Sequence, residues 1–369
     1  MGDVHVGDVA GLGPAQVAEV DASGMFAEVA GLPRQLREGY EHARRRLAGA
    51  FFGTYPAIPP AEPAALVVCG MGGSAIGADL VLAALPDLGV PATVVRGYHL
   101  PEWAGPETLV VIVSYSGQTE EALACAEQAR SRGCAPVCVS SGGRLGAFAE
   151  REGLPLVDVP GGGQPRAAVG VLSMAVLATV EAAGLCGDHA ADVDSAATLL
   201  EADNELLGPE SEDEQNPAKA LARRIENRLA VVYGAGPTLP AARRWKVQIN
   251  ENAKAPAFFN ARPALDHNEL MGWTSLPHIT RSTVALFLHD PDEDARLTRR
   301  AEHTAREYEA LGVSAELVAA RGDSRLARLF SLVQLGDHVS CYLAVLYGVD
   351  PTPVDSIQAF KAGLAGDGD

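Results

Sequence analysis

The sequence predicts an α/β protein built on doubly wound parallel sheets, and three observations carry that prediction. From about residue 64, short β-rich runs alternate with alanine-rich stretches of helical length. The runs, such as "AALVVCG" and "ETLVVIVSYSG", are continuously apolar rather than alternating, as expected of strands buried on both faces under crossover helices. Past an acidic stretch the pattern restarts, and "VVYGAGP" at 231–237 echoes "VVCGMGG" at 67–73 in position and character. Two half-chains of one type follow, each a three-layer αβα sandwich with right-handed crossovers.

Taken in order, "AALVVCG" reads as strand, 74–86 as helix, "ATVVRGY" as strand and "ETLVVIVSYSG" as strand. Helix at 119–132, strand "APVCVSS", helix at 144–152 and strand "LPLVDVP" come next, then a long helix from about 166 to 184. Residues 201–217, "EADNELLGPESEDEQNP", are acidic and poor in large apolar groups, which reads as a surface connection. After it, "RLAVVYGAG" is strand plus glycine turn, "PAARRWKVQINENA" helix and "STVALFLHD" strand. Helix 293–312, strand "SAELVAA" and a long helix over "LARLFSLVQLGDHVSCYLAVLYG" follow in the second half. The expected organisation is an N-terminal helical segment (1–40), a first α/β domain (41–200), an acidic linker (201–218) and a second α/β domain (219–369).

Composition bounds the function. The 369 residues carry a net charge of −18, which argues against nucleic acid as a partner and leaves room for a local anion pocket. No apolar run reaches the length of a membrane span, and the N-terminus lacks a basic region followed by an apolar one, so the expectation is a cytoplasmic protein without a membrane partner. Six cysteines are scattered, and the nine histidines show neither H-x-x-x-H nor H-x-H grouping. Reduced, buried thiols and no metal or cofactor site are expected.

Two loops suggest an anion cradle. "CGMGGSAIG" (69–77) places Gly72, Gly73 and Ser74 between a strand and a helix. It matches neither the dinucleotide fingerprint nor the P-loop. "VVIVSYSGQTEEAL" places Ser114, Ser116 and Thr119 at the next strand-to-helix junction. Thr119 alone reads as an N-cap, with Glu120 and Glu121 complementing the dipole. Three hydroxyls in six residues exceed what a cap requires. In a parallel sheet both loops lie at the carboxyl ends of strands, where hydroxyls and backbone N–H groups can surround one phosphate.

Further along, "PGGGQPRAAVG" puts Arg166 at a predicted helix start in the same layer, where a guanidinium could clamp a developing oxyanion. The densest polar stretch is "INENAKAPAFFNARPALDHNELMGW" (249–273). Glu251 falls in the last helical turn before Pro256, where the dipole disfavours a negative charge, which suits a general base. His267 sits sixteen residues on, in a polar loop, and Asn250, Asn252, Asn260, Asn268 and Glu269 accompany it near the apolar anchors Phe258, Phe259 and Trp273. Lys361, one of four lysines, lies in the C-terminal stretch "GVDPTPVDSIQAFKAGLA". By itself it is an ordinary tail lysine.

Six stretches, "GMGGSAIGADL", "SYSGQTEE", "QPRAAVG", "NENAKAPAFFN", "LDHNELMGW" and "GVDPTPVDSIQAFK", occur in that order across residues 70–361. In this the chain resembles the bifunctional phosphoglucose/phosphomannose isomerases, which are built from two sugar-isomerase (SIS) domains. The departures are Gln118 where asparagine is usual, and "NARPALDHNE" in place of a version with phenylalanine before the proline. The resemblance implies a metal-free aldose–ketose isomerase acting on glucose and mannose 6-phosphates. The serine and threonine loops would bind the 6-phosphate. Glu251 would move the proton between C2 and C1 through a cis-enediol that Arg166 stabilises, and His267 and Lys361 would assist ring opening. It further implies a homodimer with His267 acting across the interface. Two alternatives stay open: a non-catalytic SIS-domain sugar-phosphate sensor, and an isomerase for aminosugar phosphates. The sensor would need neither Glu251, His267 nor Lys361.

Overall fold

Two parallel sheets, one in each half of the chain, organise the protein. The computed structural model describes residues 11–48 and 63–366, excluding the side chains of Lys361 and residues 364–366. Three helices come first: α1 (Pro14–Val20), α2 (Met25–Ala30) and α3 (Leu32–Ala48). The first half then runs β1 (Ala65–Cys69), α4 (Gly72–Ala84), β2 (Ala92–Val95), β3 (Thr108–Val113), α5 (Glu120–Ser131), β4 (Ala135–Ser140), α6 (Gly143–Glu152), β5 (Leu156–Asp158) and α7 (Val169–Ala182). Helices α8 (Ala190–Leu207) and α9 (Pro217–Ile225) lead to the second half. There β6 (Leu229–Ala235) is followed by α10 (Leu239–Asn252), β7 (Ala257–Arg262), α11 (Glu269–Gly272), α12 (Pro277–Arg281), β8 (Thr283–His289), α13 (Ala295–Leu311), β9 (Ser314–Ala319), α14 (Arg325–Leu346) and α15 (Asp355–Gly366).

Both sheets are parallel throughout, with orders β2-β1-β3-β4-β5 and β7-β6-β8-β9. β3 and β4 are buried along their whole length, which explains their unbroken apolar character. One face of the first sheet packs under α3, α4, α7 and α8, and the other under α5 and α6. The second sheet is covered by α9, α10 and α14 on one side and by α13 on the other. The expected sandwich architecture is therefore present in both halves.

Four local expectations change. The long helix starts at Val169, not near 166, so Arg166 sits in the turn before it. Residues 201–207, read as the start of an acidic connection, complete α8 and bury Leu207. The segment after Pro256, to which the sequence reading assigns no strand, contains the edge strand β7, paired to β6 from Ala257 to Arg262. Lastly, α14 is 22 residues long and apolar enough to cross a membrane by composition, yet 89% of that window is buried inside the fold. It is the central core helix of the second half, capped by Ser324 and packed against α8, α9 and α10.

Candidate active site

Because β1, β3, β4 and β5 are parallel, their following loops share one edge of the first sheet. The first loop is held tightly there: a Cβ on Gly73 would lie 2.9 Å from the carbonyl oxygen of Pro165, so the glycine lets the loop reach the turn that carries Arg166. In the second loop Gly117 has φ +65°, and a Cβ there would sit 1.9 Å from the carbonyl oxygen of Gly142. Only glycine satisfies both the backbone angle and the contact.

The hydroxyls tie the two loops together. The backbone N–H of Tyr115 donates to Ser74 Oγ at 3.4 Å, and Ser114 Oγ donates to Thr119 Oγ1 at 2.9 Å. Ser74 and Ser114 are buried, whereas Ser116 is exposed. Thr119 occupies the N-cap position of α5, but its hydroxyl makes no capping bond. Neither does a side chain cap α4, whose N-cap is Met71. Two helix N-termini therefore point unsatisfied N–H groups at a loop edge rich in hydroxyls, and the space beside Gly72 is open. The corresponding loop of the second half is closed. There Thr238 bonds the backbone of Ala235 and Leu288, and is fully buried.

Arg166 and Glu251 meet beside this edge. Glu251 lies in the last turn of α10, as its position before Pro256 predicted. Its Oε2 lies 3.6 Å from Arg166 Nη1. Arg166 is 3% exposed, unlike the solvent-facing arginine usual at such a turn, and Glu251 retains 26%. Burial pulls the Arg166 guanidinium below its usual proton affinity, with the charge of Glu251 opposing.

The remaining guanidinium donors are occupied. Nε donates to Asn252 Oδ1 at 2.7 Å, Nη1 to Gln164 Oε1 at 3.1 Å, and Nη2 to the carbonyls of Pro351 and Thr352 at 2.8 and 2.7 Å. Lys254, at φ +55° just past α10, donates to the carbonyls of Glu251, Asn252 and Pro351, closing the helix end that bears the carboxylate. Sequence reasoning assigns no role to Gln164, Asn252, Lys254 or the carbonyls at 351–352. The run of amides in "NENAK" is the visible signal for Asn252.

His267 does not join this pair. It ends a 3₁₀ turn after β7, is exposed, and makes no hydrogen bond or ion pair among the described residues. Its neighbours are structural: Asp266 pairs with Arg300 and accepts from Thr304, while Glu269 accepts from Tyr233, Asn260 and Tyr308. Trp273 packs on Tyr308, but Phe258, expected as an anchor, is 58% exposed. Lys361 belongs to α15, whose entry loop is bonded to Arg166 through residues 351 and 352, and its side chain lies outside the described residues.

Residues 214–364 match the family described as the bacterial phospho-glucose isomerase C-terminal SIS domain. The fold is shared with the solved structure of a glucose-6-phosphate isomerase like protein from Thermus thermophilus, at TM-score 0.62 and 24% identity over 93% of this chain and 98% of that one. The fold is thus of the SIS type. The bifunctional phosphoglucose/phosphomannose isomerase of Caldicellulosiruptor bescii is 36% identical over 92% of this chain and 99% of its own. That of Aquifex aeolicus is 38% identical over 81% and 90%. The chain belongs to the bifunctional phosphoglucose/phosphomannose isomerase family.

Proposed function

We propose that this protein interconverts glucose 6-phosphate and mannose 6-phosphate with fructose 6-phosphate through a cis-enediol, without a metal. The observation that carries the reading is the Arg166–Glu251 pair beside two uncapped helix N-termini. The 6-phosphate binds at Gly72, Gly73, Ser74, Ser114, Ser116 and Thr119, where neutral donors and helix dipoles replace a lysine. With the sugar ring open, the Glu251 carboxylate takes the C2 proton. The C2–H electron pair becomes the C1–C2 double bond, and the carbonyl oxygen on C1 takes the negative charge. Arg166 Nη1 faces that charge. Return of the proton to C1, with a hydroxyl proton passing from O2 to O1, leaves the carbonyl at C2. Both C2 epimers lead to one enediol, and one base serves two aldoses when rotation about C2–C3 presents either face of C2 to it.

In the same reading His267 and Lys361 move protons between ring oxygen and C1 hydroxyl during ring opening. A homodimer brings His267 into the partner's site. Its exposure supports this, as do the exposed Phe258, Met271, Leu276 and Ile279 on the elements around it in sequence. A cytoplasmic location fits six unpaired thiols. The test is to supply purified protein with fructose 6-phosphate and measure glucose and mannose 6-phosphate formed. Production of both is expected. Binding without turnover would favour a sensor, and turnover only of an aminosugar phosphate would favour the other isomerase reading.

A further inference from the structure

Arg166 is gripped at both ends by one closed ring of buried hydrogen bonds. Its Nε donates to Asn252 Oδ1 at 2.7 Å, Asn252 Nδ2 donates to Ser340 Oγ at 2.9 Å, and Ser340 Oγ donates to the carbonyl of Asp337 at 2.7 Å. The carboxylate of Asp337 accepts from Arg244 Nε and Nη2 at 2.9 and 2.6 Å, and Arg244 Nη2 also reaches the backbone carbonyl of Arg166 at 2.9 Å. Asn252 and Ser340 are 0% exposed, and Arg244 and Asp337 are 1% and 3% exposed. The direction of each bond is forced. A guanidinium only donates, so the amide oxygen of Asn252 faces it, and the Asn252 N–H is left for a serine hydroxyl already committed to a carbonyl.

Donor counting shows what the ring does. A guanidinium has five N–H groups. One is taken by Asn252, one by Gln164 and two by the carbonyls at 351 and 352. A single N–H on Nη1 is left, on the nitrogen that faces Glu251. We infer that Asn252 is a positioning residue for the isomerisation: through Arg166 it fixes which guanidinium edge meets the enediolate, and Ser340 fixes Asn252 in turn. This rests on the proposed role of Arg166. Asn252 gives up no N–H to the site itself, since its Nδ2 points at Ser340 in the interior of the second half.

The experiment compares Asn252→Ala, Ser340→Ala, the double variant and Arg166→Lys in the full-length protein. Each is assayed for kcat and KM with fructose 6-phosphate and for binding of 5-phospho-D-arabinonate, an aldonate whose carboxylate mimics the enediolate charge. Misplacing a charge-stabilising group by about an ångström costs on the order of 100-fold. Asn252→Ala should therefore lower kcat and aldonate affinity together by about that factor, with KM nearly unchanged. Ser340→Ala should lower both in the same ratio by up to about tenfold, the worth of one hydrogen bond. The double variant should be no worse than Asn252→Ala, because the two act in series. A normal kcat in Asn252→Ala, while Arg166→Lys loses it, overturns this inference and spares the role of Arg166. A normal kcat in Arg166→Lys overturns both. If Asn252→Ala does not fold, Ser340→Ala decides: aldonate affinity that stays unchanged, whether or not kcat falls, counts against the ring.

Discussion

Arg166 and Glu251 come from different halves of the chain, yet Nη1 of the one lies 3.6 Å from Oε2 of the other. The carboxylate hangs from the end of α10 and the guanidinium from the turn before α7. Replacing Arg166 by lysine keeps a charge but discards the planar fork that Asn252, Gln164 and the carbonyls at 351–352 hold. Arg166→Lys should cut kcat by about 10²–10³-fold, the usual cost of one oxyanion donor, with a smaller change in KM. Steady-state kinetics on the folded variant checks this, and a raised KM at normal kcat would assign Arg166 to substrate binding instead.

The hydroxyl loops predict the opposite split. Ser74→Ala and Thr119→Val each remove one side-chain donor from the proposed phosphate cradle, and each should raise KM about 5–30-fold, the equivalent of about 1–2 kcal/mol, while sparing kcat. Inorganic phosphate should lose potency as a competitive inhibitor in step. An unchanged KM in both variants would remove the cradle from the account.

Gly117 tests the loop geometry rather than its chemistry. A side chain there must tolerate φ +65° and displace the carbonyl of Gly142, which its Cβ would approach to 1.9 Å. The strain of a left-handed alanine alone is about 1–2 kcal/mol, and the clash adds to it. Gly117→Ala should lower the melting temperature and raise KM together, because the second loop has to move. Calorimetry paired with kinetics reads both.

Stability should also fall in mild acid through His338. This residue on α14 is completely buried against Phe26, and Nδ1 donates to the carbonyl of Gln334 at 2.9 Å. Burial pushes its pKa down from 6.5 to about 4, so the folded protein excludes a proton that the unfolded chain binds. The depressed value means that the stability is fully present above about pH 6.5 and is lost as pH falls towards 4, at ~1.4 kcal/mol per pH unit. Urea titrations across that window should show the slope, and His338→Asn, which keeps an N–H donor without the titration, should flatten it. An identical slope in the variant would place the effect on other groups.

How much of this was legible in the sequence depends on the distance over which each feature is determined. β3 and β4 announce themselves because burial on both faces leaves no polar alternation. Glu251 could be placed at a helix end because Pro256 stops the helix nearby. β7 was hidden because its Phe258 is exposed and Asn260 and Arg262 interrupt the apolar run, as an edge strand permits. The start of α7 was misjudged because the segment around Arg166 is ordered by contacts with Gly73, Asn252 and residues 351–352, none of them local. The hydrogen-bond ring was out of reach for the same reason: its members come from positions 166, 244, 252, 337 and 340. No local pattern marks Ser340 or Asp337 among the residues of an apolar helix.

If Glu251 moves the proton between C2 and C1, as proposed, exchange of that proton with solvent depends on its carboxylate. Glu251→Gln keeps the size of the side chain and its place beside Arg166 but removes its basicity. General-base catalysis is worth roughly 10²–10⁴-fold, so kcat should fall by at least that much while affinity for fructose 6-phosphate is retained. In deuterium oxide, incorporation of label into the sugar at C1 or C2 should vanish with it. His267→Ala provides the contrast, because its loss should be largely recovered with an open-chain substrate analogue that needs no ring opening. Glu251→Gln should show this fall in kcat and no detectable label with either form of substrate; near-normal turnover with label exchange would contradict the role of Glu251.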